Sequence, residues 1–85
     1  MTDLTALGLA PGMVVRFRRE PGDRWRTARV ERIEKDGSLG LRDEKGAARA
    51  IPLERVEVAT IGPRGARTWE PASERAARTE QLKLL

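Results

Sequence analysis

Seven arginines fall between positions 16 and 32 of this 85-residue chain, Arg16, Arg18, Arg19, Arg24, Arg26, Arg29 and Arg32, against Glu20, Asp23 and Glu31 in the same stretch. Trp25 lies in the middle of them. Guanidinium groups gathered in this way suit phosphate oxygens, and an indole among them offers a flat apolar face on which a base or a partner side chain can stack. The candidate nucleic-acid-binding residues are therefore Arg16, Arg18, Arg19, Arg24, Trp25, Arg26 and Arg29. The alternative is that Trp25 caps the rim of the fold while the arginines pair with Glu20, Asp23, Glu31 and Glu34. A second group, Trp69 with Gln81, Leu82, Leu84 and Leu85, has the chemistry of a protein contact.

Other chemistry is excluded early. With no cysteine and no histidine, the chain has no disulfide, no thiolate or imidazole metal site and no imidazole or thiol catalysis. Its acids alternate with arginines on turns and outward faces, so paired carboxylates in an apolar setting are not expected. Neither a phosphate-cradling glycine loop before a helix nor spaced metal ligands are present. The reading is of a non-enzyme without cofactor or metal.

The charge balance, 17 Lys+Arg against 13 Asp+Glu for a net +4, leans toward polyanions. Arginine and alanine richness is also what a GC-rich genome produces, so the position of the arginines says more than their total. Eighty-five residues with 39% hydrophobic and 4% aromatic content support one domain with a thin core. The first nine residues lack the basic opening and long apolar run of a signal peptide. No apolar segment has the length of a bilayer span, and a cytoplasmic protein, compatible with a place at the nucleoid, is expected. The starting Met and the terminal motif favour a free-standing chain.

The elements that must position these residues occupy 12–58. Alternation and turn chemistry predict five strands, at 13–18, 25–34, 38–42, 47–51 and 56–58. Period two turns Met13, Val15 and Phe17 inward and Val14, Arg16 and Arg18 outward. Ala28 and Val30 share a parity that Ile33 does not, so a bulge is expected after Val30. Trp25 falls on the face opposite Ala28, exposed or at the rim. Asp36-Gly37 reads as a hairpin turn, and residues 52–55 as a single helical turn before the last strand. Residues 1–11 read as a loosely held arm whose leucines could cover an open end of the fold. Residues 59–85 divide into a Gly/Pro/Arg linker with little regular structure and a short C-terminal helix, from about 72 to 84, or a flexible tail.

The spacing of Trp25, Ala28, Val30 and Ile33, with Gly12-Met13-Val14-Val15 before it and Asp36-Gly37 and Lys45-Gly46 after it, resembles the Tudor-like branch of the small SH3-like barrels. The resemblance covers about residues 12–58. It implies a mainly β, five-stranded barrel and, since cage-less barrels of this kind serve as accessory domains of repair and transcription factors, contact with nucleic acid or an RNA or DNA polymerase-associated protein. A methylated-peptide reader would need several aromatic faces, and the chain has only Phe17, Trp25 and Trp69.

Gln81-Leu82-Lys83-Leu84-Leu85 resembles the peptide with which bacterial polymerases and repair factors bind the DNA sliding clamp, Gln-Leu-Ser/Asp-Leu-Phe. It departs at Lys83 and Leu85. The resemblance implies Gln81 as the polar anchor and Leu82, Leu84 and Leu85 as apolar contacts. The expected protein is a monomeric adaptor, and the alternative is a structural protein that self-associates through Trp69 and the terminal leucines.

Overall fold

A computed structural model gives the fold, and the residues it describes are 3–83. Six strands, β1 (Val14–Phe17), β2 (Arg26–Ile33), β3 (Leu39–Asp43), β4 (Ala48–Ile51), β5 (Val56–Ile61) and β6 (Arg67–Pro71), are followed by one helix, α1 (Ala72–Lys83). They form a single antiparallel sheet in the order β4-β3-β2-β1-β5-β6. The first four strands meander, and β5 returns to lie on the free side of β1. A 3-10 turn over Leu53–Arg55 reverses the chain before β5, where the sequence predicts one.

Alternation builds the core. Val15 and Phe17 of β1, Ala28 and Val30 of β2, Leu39 and Leu41 of β3, Ile51 of β4 and Val56 and Val58 of β5 are all buried in one cluster. Burying a side chain such as Phe17 contributes about 1.5–3 kcal/mol. The sheet curls around its own inner face, because the inward residues of five strands share this one cluster. The curl has a visible cause: the β2–β3 register shifts between Val30 and Arg32, as the parity change at Ile33 predicts. Gly40 stands opposite Arg32 there, and a Cβ on it would run into the Glu34 carboxylate and the Arg32 side chain.

Three expectations are corrected. A five-stranded closed barrel is replaced by six strands in a sheet that does not close, compatible with a small barrel-like fold but with β4 and β6 as unpaired edges. The supposed linker is mostly strand: β5 runs on to Ile61, and β6 pairs with it from Ile61↔Arg67 to Glu57↔Pro71. Its Gly and Pro residues are the hairpin turn, closed by Gly62 N–H to Ala66 O at 2.8 Å and Gly65 N–H to Gly62 O at 2.9 Å, with Gly65 at φ 79°. The N-terminal arm is held in place. Leu9 is buried, Leu4 and Leu7 pack against the core, and Thr5–Leu7 forms a 3-10 turn that touches α1.

Helix α1 folds back against the first 3-10 turn, the second 3-10 turn and the β5–β6 hairpin. Fully buried Ala72 seats its first turn. Arg75 Nε donates to Gly8 O at 2.6 Å, and Gly8 sits in the left-handed region at φ 74° with Thr79 of α1 directly over its Cα. Replacement Gly8→Ala places a methyl group against Thr79 and strains the backbone by about 1–3 kcal/mol. We expect a melting temperature lower by at least roughly 4–8 °C and a loss of helical circular dichroism. An unchanged melting curve would show that α1 is not held through Gly8.

Candidate nucleic-acid interface

The outer face of the sheet, opposite the core, carries both tryptophans. Arg16 lies between β2 and β5 on this face, with Thr27 and Glu57 as its cross-strand neighbours. Trp25 immediately precedes β2 and is half-buried rather than largely exposed. The Arg16 guanidinium carbon is 4.2 Å from the Trp25 ring centroid and 4.8 Å from that of Trp69, and the Arg18 carbon is 4.3 Å from Trp25. Arg18, Trp25, Arg16 and Trp69 thus alternate cation and ring across four strands' width. Arg16 Nε also donates to Glu57 Oε1 at 2.7 Å.

This stack changes the role expected of Trp25. Its ring is a platform already taken by two arginines of the same chain. Trp69, assigned from sequence to a distant protein-binding tail, belongs to the same face as Trp25. The signal that could have placed it is the Thr60-Ile61…Thr68-Trp69 pair of β-formers flanking a glycine-containing turn.

Ion pairing sorts the remaining arginines. Among the described residues, Arg16 pairs with Glu57, Arg32 with Glu34, Arg42 with Glu31, Arg49 with Asp43, and both Arg75 and Arg78 with Glu70. Arg18, Arg19, Arg24, Arg26 and Arg29 have no carboxylate partner among the described residues; Arg29 donates to Gly12 O at 3.0 Å instead. Glu20 and Asp23, in the loop between β1 and β2, form no ion pair with them, contrary to the pairing alternative. Arg18, Arg19, Arg24 and Arg26 converge with Arg49 and Asp23 around a hollow of about 370 Å³ at the end of the β1–β2 hairpin. Six of the seven candidate binding residues, all but Arg29, are thereby on or beside this end or in the stack.

The pKa shifts mark acids already committed to structure. Asp43 is held below its usual range by the Ala47 N–H and by Arg49, and Asp36 by the Ser38 hydroxyl and N–H. Among the described residues no cluster of three or more His, Cys, Asp or Glu could hold a metal ion, and no helix is long and apolar enough to cross a membrane.

The protein-contact group is divided. Gln81 and Leu82 are exposed in the last turns of α1, where Leu82 keeps 64% of its surface open. Leu84 and Leu85 lie outside the described residues. The helix is fastened by Glu70, which accepts from Arg78 and, at 3.3 Å, from Arg75. A second hollow, of about 380 Å³, opens on the outer face between β5 and β6 and is lined by Val14, Ala59, Ile61, Arg67 and Trp69 among others.

Two outcomes are expected. The hydrogen bond from Arg78, helped by Arg75, holds the Glu70 carboxyl below its usual range. A carboxyl lowered in the folded state stabilises it fully above the ordinary glutamate value of about 4.3 and loses that contribution as the pH falls through its folded value. Below about pH 4 the helical circular dichroism should therefore decline, and Glu70→Gln should remove that acid step; an identical acid profile in the variant would refute the Glu70 clasp. Replacement Arg16→Ala should uncover both indoles and shift tryptophan emission to the red, an effect that Arg29→Ala should not produce. No family model, no curated protein and no solved structure matches this chain.

Proposed function

We propose that this chain is a non-enzymatic binding module of nucleic-acid machinery, of replication, repair or transcription, whose first hairpin contacts the phosphate backbone. The observation that carries the reading is the gathering of unmatched arginines in one place. Arg16, Arg32, Arg42 and Arg49 of the sheet and Arg75 and Arg78 of α1 are matched with carboxylates, while Arg18, Arg19, Arg24 and Arg26 line one hollow unmatched; Arg29, Arg55, Arg64 and Arg67, also unmatched among the described residues, do not line it. Unmatched guanidinium groups in one place form the electrostatic footprint of a polyanion site. The four-strand meander, the 3-10 turn and the return of β5 to β1 support a Tudor-like kinship, with β6 as an addition. A polymerase-associated protein with an acidic surface is the competing partner, and salt dependence separates the two.

The two-walled clip of Trp25 and Trp69 is filled by Arg16, which speaks against a methylated-peptide reader. Self-association through Trp69 would have to use the part of the ring that the Arg16 stack leaves open. A sliding-clamp contact is a second reading, favoured by the exposure of Gln81 and Leu82; the last helical turn would have to unwind to present them in extended form.

Anisotropy of a labelled oligonucleotide tests the main reading. If four arginines release counterions, log K against log salt should have a slope of about −3 to −4. Each Arg→Gln change among Arg18, Arg19, Arg24 and Arg26 should flatten it by about 1. Absence of oligonucleotide binding, or a fourfold variant that binds as the wild type does, would overturn the proposal.

A further inference from the structure

We infer that the hollow beside Trp69 on the outer face receives one unpaired base, so that the module selects a single nucleic-acid strand over a duplex. The inference rests on the phosphate-binding reading above and adds a second subsite to it.

The walls of the hollow are mainly apolar, with Thr60 and Thr68 also in the lining, on a face otherwise dominated by charge. Val14 of β1, Ala59 and Ile61 of β5 and the indole of Trp69 on β6 surround a volume of about 380 Å³, within the range of roughly 300–1,000 Å³ usual for small-molecule sites. Ile61 leaves 71% of its surface open. Arg16 is stacked 4.8 Å from the Trp69 centroid, and the hollow is the ring's other neighbour. At the rim stands Arg67, exposed and without a carboxylate partner among the described residues. The occupant that fits is a flat apolar group with an anion attached at one side, the chemistry of a base with its backbone phosphate. A duplex hides its base faces in the stack, whereas a single strand can offer one to an aromatic wall.

The second subsite lies in line with the first. From β6 through β5 and β1 to β2 is three interstrand steps, about 14 Å at the usual sheet spacing. Along that line the face presents Arg67, the Trp69–Arg16–Trp25 stack and Arg18, so a strand anchored by the hairpin arginines crosses the sheet before its base reaches the hollow. Glu57 neutralises Arg16 midway, which leaves phosphate contact to the two ends of the path.

The test uses the full chain carrying Trp25→Phe, which leaves Trp69 as its sole tryptophan. Its probes are a short oligothymidylate, an abasic sugar-phosphate oligomer of equal length and a duplex of equal length. Oligothymidylate should quench Trp69 emission and bind roughly 5- to 100-fold more tightly than the abasic oligomer, the span that stacking of one base supplies. Adding Ile61→Gln, at an exposed position with no part in the core, should bring the two affinities together without altering the salt slope. If the abasic oligomer or the duplex binds as tightly as oligothymidylate, or Trp69 emission is unmoved while oligothymidylate binds, the base site is wrong and the phosphate reading stands. If none of the three probes binds, both fall.

Discussion

Strand β1 is only four residues long, yet both faces of the molecule are built on its alternation. Val15 and Phe17 are buried completely on one side, and Arg16 is wedged between two indoles on the other. Because successive side chains point to opposite faces, a slip of one residue in register with β2 or β5 would place a guanidinium in the core and a phenyl ring in the aromatic stack. Neither is tolerable, so the register of the central three strands is fixed from both sides at once. The outer stack is therefore a structural device as well as a surface feature.

The same economy governs the charges. Most carboxylates of the described residues that take part in ion pairs sit where an element must be pinned: Glu57 against β1, Asp43 against β4, Glu31 across β2 and β3, Glu70 beneath α1. Most of these pairs are partly buried, and their placement decides where positive charge is left over. Of the arginines that remain, Arg18, Arg19, Arg24 and Arg26 gather around the hollow at the free end of the β1–β2 hairpin, while Arg29, Arg55, Arg64 and Arg67 lie outside it. A net charge of only +4 thus becomes a local field.

Much of this architecture is readable from residue types. The inward sets of β1, β3 and β5, the bulge after Val30, the Asp36-Gly37 turn and the helical turn before β5 all follow from period and turn chemistry, because each depends on neighbours within a few positions. What was not readable depends on distant pairing. The cluster Gly62-Pro63-Arg64-Gly65 has the composition of either a linker or a hairpin turn, and only the partnership of Thr68 and Trp69 with Thr60 and Ala59 decides between them. Without the β5–β6 pairing nothing local places Trp69 beside Trp25, so the stack is not legible in the sequence. The arm before Leu9 is hidden for a related reason: its 3-10 turn packs on α1, at the other end of the sequence.

Leaving the sheet open exposes two rows of backbone donors and acceptors, on β4 and on β6. Such margins invite another chain to add itself, the first step toward swapped or fibrillar assemblies. Here β4 is four residues long, carries Arg49 and is followed directly by Pro52, and β6 starts at Arg67 and ends at Pro71. Brevity, charge and proline make both margins poor templates for an intruding strand.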